Sequence, residues 1–310
     1  MRLLIIWLTS FIWTGEIAAQ KATDSAYFFE NRVITLSPVV INNKLNIAAF
    51  IQHIKNDTSF YKSFRNLHIL NFSAINDIRM NNGNGTPRAT LFSKTRQARK
   101  DGCRTMRILE EKVTGDMYDN NQFNYYTAKM YASLFFTNGS VCGENNIVKG
   151  VGFSTDGKEG LEKHQEQLKM LFFNPGNKIK GIPFMSDKTA LFDEHMLDKY
   201  DMSIDMDEYN KTSCYVFKQK VKPGFEGDVV VNEMTTWFDD STFDVMARNY
   251  NLSYNAGVYD FKVFMEVQMT RVGKLVVPSL IRYTGNWKVI FKRRERGIFT
   301  ATLFDFSMEK

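Results

Sequence analysis

The side chains best suited to acid–base, nucleophilic or metal chemistry are sparse in this sequence. There are four histidines, His53, His68, His164 and His195, and three cysteines, Cys103, Cys142 and Cys214. A helical zinc site needs two imidazoles four residues apart with a glutamate between them, and none of the four histidines has that spacing. His195 stands beside Asp193, Glu194 and Asp198, but on a helix these side chains point in different directions. Asp201, Ser203, Asp205 and Asp207 have the odd-numbered spacing of the first ligands of a calcium loop. The central glycine is missing, however, and Thr212 stands where such a loop places its bidentate glutamate. Alternating with Met202, Ile204 and Met206, the four polar residues fit the wet face of a strand better. No Gly-x-Ser-x-Gly elbow, phosphate-cradling loop or dinucleotide fingerprint occurs. The sequence therefore predicts a non-enzymatic protein with no cofactor and no metal site; a hydrolase acting on envelope material is the least favoured reading.

Cys103 and Cys142 both lie beside glycines at the edges of elements and are candidates to pair, with three reduced thiols as the alternative. Cys214, in Ser-Cys-Tyr-Val-Phe, reads as a small buried apolar residue of a strand.

The elements around these residues are mostly strands in the second half of the chain. Phe261, Val263, Met265, Val267 and Met269 alternate with Lys262, Phe264, Glu266, Gln268 and Thr270. That period of two marks a sheet with one dry face and one wet face. Everything from Met202 onward has the same strand-and-turn character. Earlier, Arg32 to Leu36 is extended, and Leu67–Met80 with Arg88–Gln97 reads as a hairpin across Asn81-Asn82-Gly83-Asn84-Gly85. Arg104–Lys112 is a further strand.

Helices come between. Asn46 caps one whose apolar stripe is Ile47, Phe50, Ile51 and Ile54, and Asp57 caps a second with Phe60, Tyr61 and Phe64 inward. Asn124–Thr137 favours helix, stopped at Asn138-Gly139. Leu161–Phe173 is amphipathic, with Leu161, Leu168, Leu171 and Phe172 on one side and Asn174-Pro175-Gly176 as its stop. Asp187 is expected to cap a last helix carrying Leu191, Phe192 and Met196.

Residues 1–19 have the pattern of a secretory signal peptide. Arg2 precedes an apolar run, Leu3–Trp13, broken only by Thr9 and Ser10, and Ile17-Ala18-Ala19 offers a small-residue cleavage site before Gln20. The run is shorter than the ~20 residues that a membrane-crossing helix needs. The expectation is a periplasmic or secreted protein whose residues 20–310 form a single α+β domain, helical in the middle around 160–200. The 26 Phe and 13 Tyr of the 310 residues supply a large aromatic core and exclude a disordered chain.

The formal net charge is +6, and it is uneven. Between Arg271 and Arg296 stand eight basic residues and one acid, Glu295. A basic stretch of this kind can steer an anionic surface, although solvated strand faces would look the same. No nucleic-acid motif accompanies the charge, so nucleic acid is not an expected partner.

In Met234-Thr235-Thr236-Trp237-Phe238-Asp239-Asp240-Ser241-Thr242-Phe243-Asp244-Val245, a strand ends in Trp-hydrophobic-Asp and a Thr leads into the next strand. Further on, Met265-Glu266-Val267 leads to Val277-Pro278-Ser279-Leu280-Ile281-Arg282-Tyr283. Over this last third the chain resembles periplasmic lipoprotein carriers of the Lol type, and as a whole it is similar to uncharacterised exported bacterial proteins. The resemblance implies a curved, unclosed antiparallel half-barrel with helices on its concave face and an apolar cavity between them for acyl chains or a lipidated partner. The chain is longer than those carriers, with the extra around residues 100–200, and no residue matches their ligand-handling arginine.

The leading expectation is thus an α+β fold, a curved and largely antiparallel sheet covered on one face by amphipathic helices, that binds a lipid, a lipoprotein or another hydrophobic ligand. The expected cavity residues are Phe50, Ile54, Leu168, Phe172, Phe261, Val263, Met265, Val267 and Met269. Lys292, Arg293, Arg294 and Arg296 form a basic rim to meet anionic headgroups or an anionic membrane surface. The other reading is an envelope structural or interaction protein in which the same apolar residues are a packed core without a ligand.

Overall fold

The structure is a computed structural model that describes residues 25–29, 32–37, 40–41, 45–148, 169–178, 185, 187–256, 259–289 and 293–309. The expected signal peptide, His164, Leu168, Lys292 and the first two turns of the helix expected over 161–173 lie outside the described residues.

The chain opens with a short hairpin, β1 (Ser25–Phe29) and β2 (Arg32–Leu36), followed by α1 (Ile47–Asn56) and α2 (Ser59–Asn66). Three long strands follow, β3 (Leu70–Asn81), β4 (Pro87–Lys100) and β5 (Cys103–Gly115), and then a two-stranded hairpin, β6 (Tyr118–Asp119) and β7 (Gln122–Phe123). Next come α3 (Tyr126–Phe135) and β8 (Ser140–Cys142), a helical stretch at 169–173, and α4 (Glu194–Leu197). The rest is a meander: β9 (Tyr200–Tyr209), β10 (Thr212–Val221), β11 (Val231–Asp239), β12 (Val245–Ala256), β13 (Tyr259–Val272), β14 (Leu275–Val289) and β15 (Glu295–Met308).

Among the described residues, thirteen strands form one curved, unclosed sheet in the order β1-β2-β9-β10-β11-β12-β13-β14-β15-β3-β4-β5-β8, with antiparallel pairs except β2 with β9. The last strand, β15, pairs with β3, so the β3–β4–β5 wing is attached to the meander through the end of the chain.

The alternation in β13 folds as its period requires: Phe261, Val263, Met265, Val267 and Met269 are buried, while Lys262 and Phe264 are exposed. The helices lie against this dry face. On α1, Asn46 Oδ1 accepts the Ala49 N–H at 3.0 Å, which satisfies one of the free donors of the first turn. Its stripe buries Phe50 among Tyr215, Phe217 and Phe238, with ring centroids 5.5–6.5 Å apart. On α2 the cap position is Thr58 rather than Asp57, whose Oδ1 takes the Ser59 N–H at 2.9 Å. Phe60 and Phe64 face inward as expected.

The ten-residue α3 sits on β14 and β15 through Tyr131, whose ring stacks on Phe299 at 5.1 Å and meets Tyr283 edge-on at 4.9 Å. Two glycines make room. Gly285 and Gly297 are register partners, and a Cβ on Gly297 would stand 3.2 Å from the Tyr131 hydroxyl. On Gly285 it would collide with the Tyr283 hydroxyl at 2.0 Å.

The helix expected from Asp187 is instead a 3-10 turn, Asp187–Thr189, and a four-residue helix with Asp193 at its cap position. The apolar spacing there still buries Leu191 and Met196, so the pattern was that of a packed loop. Among the described residues no helix is long and apolar enough to cross a membrane.

Candidate functional site

Reading the dry face across the sheet along one register row reveals a change of character. From β13 to β5 the row runs Val267, Ile281, Ala301, Asn76, Ser93 and Glu111. Along this row the residues are aliphatic as far as β15 and polar from β3 outward, while Leu70, Phe72, Ala74, Ile78 and Met80 keep the rest of the β3 face apolar. Asn76, Ser93, Thr95 and Gln97 are all buried, so their polar groups must be paired within the fold. Asn76 Nδ2 donates to Ser93 Oγ at 3.3 Å and to Thr95 Oγ1 at 3.4 Å. Gln97 Nε2 donates to the Leu67 and Leu70 carbonyls, 2.8 Å each, and its oxygen accepts from Thr137 Oγ1 at 3.2 Å.

Over this polar floor lies a cleft of about 820 Å³. Ser93, Thr95 and Arg104 line its base, Met106 and Ile108 of β5 one wall, and Phe123, Ala132, Phe136 and Val141 the other. Ile108 is 60% exposed, far from the burial that an aliphatic strand residue on a dry face would ordinarily have. A bulge in the β4–β5 pairing at Lys94/Thr95 leaves its neighbour Leu109 out of the ladder and 64% exposed. Beside the cleft, a chamber of about 160 Å³ is lined by Phe64, Phe72, Phe135, Phe173 and Leu303 together with His68 and Arg104. Arg104 and Ser133 line both spaces.

Arg104 is held rigidly. Its guanidinium donates to Glu144 and to Thr137 Oγ1, and to Gln97 Oε1 at 3.4 Å. Glu144 also accepts His68 Nδ1 at 2.9 Å. Burial pushes the His68 imidazole down to about 4, against the pull of Glu144 and with the Arg104 and Arg65 charges adding to the effect. The ring is therefore neutral at pH 7. Burial alone would push the Glu144 carboxyl up, but Arg104 and His68 outweigh it and hold it below its ordinary value.

The segment that supplies Glu144 is fixed at both ends. Cys103 and Cys142 form a disulfide across directly paired positions of β5 and β8. Beyond it, the Asn145 carbonyl accepts from Arg65 at 2.6 Å, and Asn146 Nδ2 donates to Asn66 Oδ1 at 2.8 Å. The chain just before this strap lines the cleft with Thr137, Asn138, Gly139 and Val141.

The residues expected to line a cavity are placed elsewhere. Phe50, Ile54, Phe172, Phe261, Val263, Met265, Val267 and Met269 are brought together, each buried, in the continuous core under α1, α2 and the 169–173 helix. None of them lines the cleft or the chamber. Arg293, Arg294 and Arg296 do not reach the cleft either; they line a separate polar recess at the N-terminal end of α3. Cys214 is buried and unpaired in β10. The cleft-forming residues Ser93 and Thr95 were missed because the Leu67–Met80 and Arg88–Gln97 hairpin was read without assigning its faces. Their in-phase spacing with Ala89 and Leu91, which are fully buried, was the available signal.

The Trp-hydrophobic-Asp segment is a folding device. Asp239 Oδ1 accepts from Ser241 N at 2.9 Å, Ser241 Oγ at 2.5 Å and Thr242 N at 3.0 Å, closing the turn between β11 and β12. Its other oxygen takes Arg271 Nη2 at 2.6 Å. Burial would raise the Asp239 carboxyl, but these donors hold it far below the usual carboxylate range.

No family model and no curated protein matches the chain. Among solved structures it is similar to a DUF1329 family protein from Desulfovibrio piger, at 10% identity and a TM-score of 0.26, over 83% of this chain and 92% of that one. It is also similar to a domain from Vibrio parahaemolyticus described as an outer membrane lipoprotein-sorting protein, at 8% identity and a TM-score of 0.24, over 81% of this chain and 94% of that one. The second description is of the same class as the carriers that the C-terminal residues resemble. Similarity this distant says nothing of what this chain binds.

Proposed function

We propose that this protein is an exported, non-enzymatic binding protein for an amphiphile, a lipid or the acylated part of a lipoprotein, held in the cleft between α3 and the β4–β5 wing. The observation that carries this reading is the cleft itself. Its volume, about 820 Å³, lies within the range of ligand sites, and it joins apolar walls of Met106, Ile108, Phe123 and Phe136 to a base with a fixed guanidinium. Apolar chain against the walls and a polar or anionic group near Arg104 is the division that the lining supports. The aromatic chamber beside Arg104 offers room for a chain end, since a dry space of roughly 150 Å³ already accepts a benzene-sized group.

The test is native mass spectrometry of the protein purified from its own source, with organic extraction, followed by titration of the delipidated protein with a fluorescent fatty acid. Extractable lipid, or uptake that Ile108→Glu weakens about tenfold or more, is the expected result. A clean apo mass together with no uptake would overturn the reading.

The second reading, an envelope interaction protein without a ligand, draws on the eight expected cavity residues that instead fill the core. It gains if the apo result is obtained.

A further inference from the structure

The recess at the N-terminal end of α3 is separate from the cleft and has a different chemistry. Its volume is about 340 Å³, and four guanidiniums, Arg88, Arg293, Arg294 and Arg296, face two carboxylates, Asp116 and Glu295. The carboxylates are fully committed. Glu295 accepts the Tyr126 and Thr127 N–H groups at 2.9 and 2.8 Å and the Thr127 hydroxyl at 2.6 Å. Asp116 accepts from Arg88 and from the Tyr125 hydroxyl. Arg294 is committed as well, to Asp260 and to Asn286 Oδ1 at 2.8 Å. Arg293 and Arg296 have no ion-pair partner among the described residues.

We propose that this recess binds a phosphate group, with Arg293 and Arg296 supplying its charge partners. Two uncompensated guanidiniums suit the negative charge of a phosphate group, and guanidinium forks suit its oxygens. The phosphate belongs either to a soluble ligand or to a lipid headgroup. The site does not depend on the cleft holding an amphiphile.

The experiment titrates the full-length mature protein with inorganic pyrophosphate by calorimetry. In parallel it measures co-sedimentation with phosphatidylglycerol and with phosphatidylcholine vesicles. Arg293→Ala, Arg296→Ala and the double variant are compared, with circular dichroism and thermal midpoints as the check on folding. Pyrophosphate binding that weakens about tenfold for each arginine removed identifies a soluble phosphate ligand. Binding confined to phosphatidylglycerol vesicles and lost in the double variant identifies a headgroup. Arg293 is exposed, so its variant keeps the test open even if Arg296→Ala unfolds. Absence of binding to either probe, or binding that the folded Arg293→Ala variant leaves unchanged, overturns the proposal. Uptake of the fluorescent fatty acid is expected to be unchanged in Arg293→Ala.

Discussion

The Glu295 carboxylate, at the start of β15, caps a helix that begins far earlier in the chain, accepting the Thr127 N–H across 168 residues of sequence. Both of its oxygens are used, one on Tyr126 and one on Thr127, at the positive end of the α3 macrodipole. A helix without an N-terminal side-chain cap of its own is thereby pinned to the sheet. Glu295→Ala is expected to cost about 1–2 kcal/mol in urea denaturation and to raise amide exchange in residues 126–130 ahead of the rest of the protein. Uniform exchange without local change would show that α3 is held by Tyr131 packing alone.

Arg248 is buried in β12, with its guanidinium 4.5 Å above the Phe60 ring and 3.6 Å from Asp57 Oδ2. The distance is too long for a hydrogen bond, so the pair is an ion pair between β12 and the α1–α2 turn. Arg248 Nε donates to Thr236 Oγ1 at 3.0 Å. Arg248→Met is expected to lose about 3–5 kcal/mol, because it strands the Asp57 carboxylate in the interior. Asp57→Asn in that background should recover a substantial part, and a double-mutant cycle in denaturant reads the coupling.

The Cys103–Cys142 disulfide closes a loop with a sequence separation of 39. In the chain-entropy account such a link is worth about 4 kcal/mol. The Cys103→Ala/Cys142→Ala variant should lose stability of that order. It should also become sensitive to protease within 138–147 before the core does, because the Glu144 strap loses its anchor.

Much of this architecture was legible because single strands and helices carry local patterns. The alternation from Phe261 to Met269, the Asn46 cap and the hairpin across Gly83 each specify themselves within a few residues. What stayed hidden depends on residues far apart. Nothing local in β3 indicates that its partner is β15, or in β2 that it runs parallel to β9. The cleft was hidden for the same reason. Ser93 and Thr95 look like solvent-facing residues until β3 and β5 flank them and α3 lies overhead, and the apolar residues expected to line a cavity are, where described, buried in the core.

His68 makes stability depend on pH. Its imidazole titrates at about 4 in the fold against about 6.5 in an unfolded chain. Between those values the unfolded state holds more protons, so stability rises with pH across that window and is lost as pH falls from about 6.5 to about 4. The loss from this group is of order 3 kcal/mol, and below about 4 it does not grow further. Denaturant unfolding of the protein and of His68→Gln at pH 4, 5, 6 and 7 checks this: the variant should show a shallower slope between pH 4 and 6.5. Identical slopes would assign the acid sensitivity to other groups.

The register that joins Met308 to Leu70 and Arg296 to Asn81 also sets a schedule. Contacts between such distant positions form late, because a long stretch of chain must be closed before they return any free energy. Until the last strand has been synthesised, the β3 edge has no partner on that side and the wing that carries the cleft has nothing to lean on. A chain truncated before Glu295 would therefore lack the cap of α3, the seam of the sheet and one flank of the binding wing together. Glu295–Met308 acts as the closing seam of the molecule.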